Sequence, residues 1–433
     1  MPEGIAEGIG ASVRRKEDKK YTTGKGRYTD DIKRDGQLYA FFVRSNVAHA
    51  TIKKIDVSKA LTCDGVAAIY TGDDIAADGV GGPICGWVPT NRDGSAPKEP
   101  PHPLLARSKV RYVGDHIAVV IAESLEQARS AAEKITIDLD VLPPVVDLST
   151  AIGNTQIHDE MDDNIYFDWE LGDESATASA LESAAKIVEL TVTNNRVIPN
   201  AIEPRAAVAE YNETNESFTL YTTSQNPHLT RLVMAAFMLQ IPESKLHVVA
   251  PDVGGGFGSK IYIYPEEAVC TWATKKLRRP IKWTAERSEA FLGDAHGRDH
   301  VNKVKVGLDQ NNKIVGLRVD TLANLGAYLS AFSMVTPTYL HGTLLSGCYN
   351  IPAIYTNVKG VCTTTVNVDA YRGAGRPEAT YLLERTMDYA ARQVGMDPAE
   401  FRRINFIPKD AFPYQTAVAL QYDVGDYEAP LDR

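Results

Sequence analysis

Cysteine is scarce in this sequence and poorly spaced for metal or disulfide chemistry. Cys63, Cys85, Cys270, Cys348 and Cys362 are five in number and contain no C-x-x-C pair. An odd set without paired spacing argues against a disulfide framework and against a zinc or iron–sulfur site. Any electrons this chain handles must therefore leave through another chain or through a cofactor that cysteine does not hold. Apolar runs are short, none approaching the roughly 18 residues that cross a bilayer, so no membrane span is expected. The start, Met1-Pro2-Glu3-Gly4, leads into the charged run Arg14-Arg15-Lys16-Glu17-Asp18-Lys19-Lys20 with no apolar stretch of signal-peptide type between them. The expected location is cytoplasmic. Positive charge is also in deficit: 46 Lys and Arg face 56 Asp and Glu, a formal net charge of −10. That field repels nucleic acid, and no basic stripe interleaved with aromatics offsets it, so no nucleic-acid partner is expected.

What is present is ordinary globular composition, 44% hydrophobic and 24% charged, over 433 residues. That length exceeds what one core usually organises. Residues 1–15 read as a tail and 16–146 as a first α/β region. In that region Leu38-Tyr39-Ala40-Phe41-Phe42-Val43 and His116-Ile117-Ala118-Val119-Val120-Ile121 have the aromatic and β-branched character of buried strands. Ser124 with Gln127 forms a capping-box pattern, and Leu125, Ala128, Ala131 and Ala132 follow at helical spacing. Gly79 to Pro103, rich in Gly and Pro, predicts a long loop. The pair Pro143-Pro144 and the acidic, Ser/Thr-rich stretch after it predict a linker over 147–175. A second region spans 176–407, with strands at Phe218–Tyr221 and Lys245–Val249. One of its helices opens at Asn226-Pro227 and carries Leu229, Leu232, Val233, Ala236 and Phe237 on one face. Another opens at Arg376-Pro377 and runs to Gly395, a C-cap candidate. Residues 408–433 begin a further unit. The fold class is α/β, in the broad α+β sense.

Pro251-Asp252-Val253-Gly254-Gly255-Gly256-Phe257-Gly258-Ser259-Lys260 follows a predicted strand and precedes a helix starting near Pro265. Clustered glycines let backbone N–H groups approach a polar or anionic group closely. A dinucleotide-binding turn competes, but the spacing is G-G-G-F-G rather than G-x-G-x-x-G. The acidic residue expected about 20 positions later is missing too. A tight turn with no ligand is the plainer alternative.

The turn has companions. Gly254-Gly255-Gly256-Phe257-Gly258-Ser259-Lys260 resembles the G-G-G-F-G-x-K signature of xanthine dehydrogenase-type molybdenum hydroxylase large subunits. Thr223-Ser224-Gln225-Asn226-Pro227-His228 is similar to the family segment that carries a glutamine beside the metal. Ala370-Tyr371-Arg372-Gly373-Ala374-Gly375-Arg376-Pro377-Glu378 is similar to its A-(Y/F)-R-G-x-G motif. Further matches are Gly24 to Asp31, Arg44-Ser45-Asn46-Val47-Ala48-His49-Ala50, and Glu203-Pro204-Arg205-Ala206-Ala207-Val208. In order and spacing they cover nearly the whole chain.

The resemblance implies a hammerhead-like domain over 16–146, the first molybdopterin-binding domain over 176–407, and the start of the second over 408–433. It implies a molybdenum–molybdopterin cofactor, in mononucleotide or dinucleotide form. The reaction it implies is insertion of oxygen from water into a C–H bond of a small aldehyde or N-heteroaromatic ring. Electrons would pass to a small subunit with 2Fe–2S clusters and a medium subunit with FAD. Carried over, Gln225 and Arg372 are the catalytic-site residues. Gln225, Gly255, Gly256, Phe257, Gly258, Arg372, Gly373 and Ala374 are the cofactor-binding ones, and the pterin rather than a side chain holds the metal. Each has a plainer explanation: Gln225 exposed at a helix start, Phe257 a core plug, Arg372 paired with a carboxylate.

Departures narrow the expectation. Carbon monoxide-oxidising members carry a copper-binding cysteine where this chain has Gly373, so no copper is expected. Purine-oxidising members carry a glutamate and an aromatic ring where this chain has Ile261 and Ala374, so purines are disfavoured. The family's general-base glutamate lies in a second half with no counterpart here. Glu378 and Glu384 are accounted for as surface or packing residues of a helix. The sequence therefore reads as a fragment, or as a subunit completed by a separate chain carrying the remaining molybdenum half. Alone it is expected to be inactive. The alternatives are an NAD-linked Rossmann dehydrogenase and a non-catalytic assembly subunit.

Overall fold

The computed structural model describes residues 8–161 and 163–433; the first seven residues of the expected tail lie outside the described residues. Two sheets carry the molecule. A seven-stranded mixed sheet runs, in spatial order, Leu246–Val249, Ser217–Thr222, Ala206–Asn212, Ile281–Thr284, Leu38–Arg44, His116–Ala122 and Val66–Thr71. A five-stranded sheet runs Ile165–Gly172, Ile354–Cys362, Ile314–Gly326, His300–Leu308 and Lys186–Asn194. The first sheet draws strands from both sides of residues 147–175. Leu38–Arg44 joins it to the second region through parallel pairing with Ile281–Thr284.

Local sequence explains the best-defined elements. Every residue of His116–Ala122 is buried, as an unbroken apolar run on a strand covered on both faces requires. Ser124 caps the next helix, Leu125–Ala132, by accepting the Gln127 amide, and Ala128, Ala131 and Ala132 face inward. Asn226 accepts the Leu229 amide ahead of Pro227–Val233. The helix Arg376–Gln393 stops just before Gly395, whose φ of +70° is the left-handed turn that ends helices. No helix among the described residues is long and apolar enough to cross a membrane.

Two expectations are corrected. Residues 147–175 do not form a linker: Leu148–Ala151 is helical and Ile165–Gly172 is the edge strand paired with Ile354–Cys362. Tyr166, Phe167 and Trp169 are buried with Val145, Leu148, Ile157 and Met161. These few large side chains outweigh the acidic composition around them. The helix at Pro227 also turns a different face inward, because from Met234 to Leu239 it continues as a π-helix. Past Val233, which is buried as expected, the wider i→i+5 turn changes the phase, so Met234, Ala235 and Met238 are buried while Phe237 is exposed; Leu232, ahead of that segment, is exposed too. The long loop through Pro103 walls a cavity of about 920 Å³ with Arg111, His158 and Phe237, and none of Gln225, Phe257 or Arg372 lines it.

The strand His300–Leu308 and the short helix Tyr339–Gly342 contribute a pair of buried histidines that should take part in acid destabilisation. His300 and His341 are buried with their rings edge to face, centroids 5.5 Å apart. Burial holds the His341 imidazole down at about 4. Its folded value lies below the ordinary one near 6.5, so its stabilising contribution is complete above that pH and is lost as pH falls toward 4. At pH 5 this one group accounts for about 2 kcal/mol. Denaturant titrations of the wild type should show a stability drop between pH 7.5 and pH 5. His341→Phe should shrink that drop, and an identical pH dependence in the two proteins would contradict the assignment.

Candidate functional site

Strands Ser217–Thr222 and Leu246–Val249 are parallel neighbours in register from Phe218 opposite Leu246 to Tyr221 opposite Val249. Their C-terminal ends lie side by side. The first leads through Thr223 and Ser224 to Gln225, and the second leads to the glycine-rich turn. The two segments lock together: the Gln225 amide donates to the Lys260 carbonyl at 2.8 Å. Gln225 Oε1 accepts the Gly258 amide at 2.9 Å and the Lys260 amide at 3.4 Å. Two N–H donors can face only the oxygen of a carboxamide, which fixes its orientation and turns Nε2 outward as a donor.

The third motif arrives from the other sheet. Ile354–Cys362 ends well before Arg372, so contact is made by loop backbone rather than by a strand end. The Arg372 amide donates to the Phe257 carbonyl at 2.8 Å. A Cβ on Gly258, at φ +112°, would come 2.2 Å from the Ala370 carbonyl oxygen, and one on Gly256 would come 2.2 Å from Gln225 Oε1. Phe257 itself takes φ +53° and Ala374 +41°, a left-handed backbone at non-glycine residues. Such strain persists only where the surroundings over-determine it. Gln225, Phe257, Gly258 and Arg372 thus meet in one place, with Gly373 and Ala374 on the adjoining turn.

The helix after the turn begins at Pro265, so the turn's amides do not form a helix N-terminus of the dinucleotide-binding kind. Phe257 is 43% exposed and is no core plug. Arg372 and Gln225 are exposed. The outward groups are donors: an amide Nε2 and a guanidinium whose charge is fixed at any ordinary pH. A donor set of this kind suits an anionic or oxo-bearing group and would leave a cation unsatisfied.

Other motif residues turn out to be scaffold. Lys260 Nζ is buried, donating to the Glu203 carbonyl at 2.8 Å and to Glu203 Oε2 at 3.0 Å, and the same Oε2 accepts the Gly254 amide at 2.6 Å. Arg205 forks onto both oxygens of Glu266 at 3.0 and 3.1 Å, reaches Asp294 at 2.6 Å, and lies 3.6 Å over the Tyr264 ring. Arg44 reaches Glu266 at 2.7 Å, and His116 lies 3.0 Å from it. Asp369, not singled out from the sequence, is buried beneath the site and pushed up to about 6 by burial. It accepts the Phe332 amide at 2.9 Å and the Ser330 hydroxyl. Its one sequence signal is its place immediately before Ala370. Glu378 is buried against Arg298 at 3.0 Å, and Glu384 pairs with Arg402 at 2.7 Å.

Residues 23–143 match the aldehyde oxidase and xanthine dehydrogenase a/b hammerhead domain. Residues 157–406 match the molybdopterin cofactor-binding domain. The chain is 36% identical to the carbon monoxide dehydrogenase large chain of Hydrogenophaga pseudoflava, over 96% of this chain and 53% of that one. It is 32% identical to the nicotine 6-hydroxylase large subunit of Paenarthrobacter nicotinovorans, over 98% and 51%. The crystal structure of quinoline 2-oxidoreductase from Pseudomonas putida 86 superposes with a TM-score of 0.89 at 31% identity, covering 99% of this chain and 54% of that one. The chain spans about half the length of these relatives. With its hammerhead and cofactor-binding domains both matched, the chain belongs to the molybdopterin-binding large subunits of the xanthine dehydrogenase and aldehyde oxidase family.

Proposed function

We propose that this chain forms the cofactor face of a molybdenum hydroxylase that oxidises a C–H bond of an aldehyde or N-heteroaromatic compound with water as the oxygen source. Electrons would pass on to 2Fe–2S and FAD partner subunits. The observation that carries the reading is the capture of Gln225 Oε1 by the Gly258 and Lys260 amides, which aims Nε2 outward beside Phe257 and Arg372. When bound, the molybdenum–pterin group supplies oxygen transfer and accepts the electrons. The chain's own residues orient and polarise. Gln225 Nε2 donates a hydrogen bond, the turn at Phe257 and Gly258 presents backbone at close range, and Arg372 adds fixed positive charge.

Substrate contacts favour apolar ligands, since Ile261 and Ala374, both half-buried beside Phe332, offer no hydrogen-bonding side chain. Copper has no place in this reading. Gly373, at φ +96° with a Cβ there 2.6 Å from the Pro377 ring, offers no thiolate, which supports that reading.

Metal analysis of the natively purified complex tests the proposal. Stoichiometric molybdenum without copper is the expected result. A bound pyridine nucleotide in its place, or no metal at all, would overturn it. Gln225→Glu sharpens the test, because the carboxylate still accepts the two loop amides but presents an acceptor outward. Loss of one well-placed donor should lower kcat by roughly 100-fold. Molybdenum content should be retained, and an unchanged kcat would exclude the donor role.

A further inference from the structure

Resting on the reading above, we infer that Arg298, behind the third motif, is a positioning residue that sets which way the peptide groups on both sides of Arg372 point. Its side chain is 10% exposed. One terminal nitrogen donates to the Tyr371 carbonyl at 2.8 Å and to Glu378 Oε1 at 3.0 Å; the other donates to the Arg372 carbonyl at 2.8 Å. The guanidinium lies 4.7 Å over the Tyr371 ring.

The two carbonyls belong to consecutive peptide groups. In a trans peptide the N–H points opposite to the C=O. Drawing the Tyr371 carbonyl onto Arg298 therefore turns the Arg372 N–H the other way, and there it meets the Phe257 carbonyl at 2.8 Å. Drawing the Arg372 carbonyl onto the same guanidinium turns the Gly373 N–H away from Arg298, toward the exposed side of the turn. One buried cation thus couples the third motif to the glycine-rich turn and aims an additional donor at the face where Gln225 Nε2 and the Arg372 side chain already lie.

Three further features fit this role. Arg298 and Asp299 take φ +67° and +68°, two successive non-glycine residues in the left-handed region; such strain persists where it is over-determined. At Gly297 a Cβ would fall 2.4 Å from Tyr371 Cβ, so the backbones are in direct apposition. Glu378, 1% exposed, fixes the guanidinium from the first turn of the following helix. A lysine, a point charge on a flexible stem, cannot fork across two carbonyls and a carboxylate.

The test compares wild type, Arg298→Lys and Glu378→Gln as the native complex, by peptide-resolved hydrogen exchange over residues 370–376 and by steady-state kinetics. Arg298→Lys should melt cooperatively like the wild type but exchange the Arg372 and Ala374 amides at least tenfold faster. Its kcat should fall more than tenfold while KM stays within about twofold. Unchanged exchange in that segment overturns the inference, as does an increase spread evenly over the whole chain, which would mark a merely structural role. If Arg298→Lys does not fold, Glu378→Gln supplies the same local readout, and unchanged exchange there counts equally against the inference. The exchange arm needs no turnover. Wild type lacking molybdenum would therefore sink the functional reading while the exchange result still decides the role of Arg298.

Discussion

Replacing Glu266 with alanine should destabilise the chain strongly, by about 3–5 kcal/mol. The carboxylate is fully buried and meets Arg205, Arg44 and His116 at once. Burial alone would raise its pKa, but Arg205, His116 and Arg44 together hold it well below the ordinary carboxylate range. Removing one partner of a buried ion pair costs about 3–5 kcal/mol, because the charge left behind has neither water nor a counter-ion. Here two guanidinium groups lose their shared carboxylate, Arg205 keeping only Asp294 at 2.6 Å and Arg44 only Glu289 at 3.0 Å, against a total stability of about 5–15 kcal/mol for a typical domain. The cluster also ties regions together. Arg44 ends a strand of the N-terminal region, Arg205 precedes the strand Ala206–Asn212, and Glu266 lies on the helix behind the glycine-rich turn. Glu266→Gln, which keeps the shape and the acceptor, should fall between wild type and alanine. Denaturant unfolding and soluble yield measure the effect, and a Glu266→Ala protein as stable as wild type would show that the cluster contributes little. Because the folded pKa is depressed, this contribution persists above the unfolded carboxylate value and is lost only as pH falls below about 4. On acidification the buried histidines should therefore weaken the fold first.

The sequence pointed to the site through motif order, and to the fold through short-range patterns. Ser124, Asn226 and Gly395 could be read as caps because capping depends on residues within one turn. Gln225, Phe257 and Arg372 came from resemblance, and no local pattern states that a carboxamide will be captured by two loop amides. The segments around Arg44, Arg205 and Lys260 also carried the resemblance, yet each cation is engaged by a carboxylate brought from far along the chain. Arg298 and Asp369 were missed for the same reason, since burial of a charge is decided by long-range packing. The error over 147–175 came from weighting acidic composition above three aromatic side chains that fill a core. The changed face after Val233 came from assuming a constant helical period where the chain switches to a π-helix.

Gly258→Ala is the substitution with the largest expected effect on function at the smallest cost to the fold. The residue sits at φ +112°, where an L side chain is strained, and the new Cβ would press to 2.2 Å from the Ala370 carbonyl oxygen. Backbone cannot rotate aside as a flexible side chain can, so the turn must move away from the third motif. Three hydrogen bonds share that motion: Gly258 N–H to Gln225, Lys260 N–H to Gln225, and Arg372 N–H to Phe257. The strain is of order 1–3 kcal/mol, which a protein of this size survives. A displacement of about 1 Å in a preorganised site, by contrast, costs roughly 100-fold in rate. Molybdenum content should fall as well, since the turn would no longer present its backbone in register with Gln225. Gly395→Ala is the control: its φ of +70° is equally left-handed, but a Cβ there meets nothing within 4 Å and the residue lies at the far end of the helix that follows the third motif. Both variants should stay folded, Gly258→Ala losing the more thermal stability, while only Gly258→Ala should lose metal and turnover. If Gly258→Ala keeps wild-type molybdenum content and kcat/KM, the close approach of the two loops is a feature of the fold alone, and the site must be placed elsewhere.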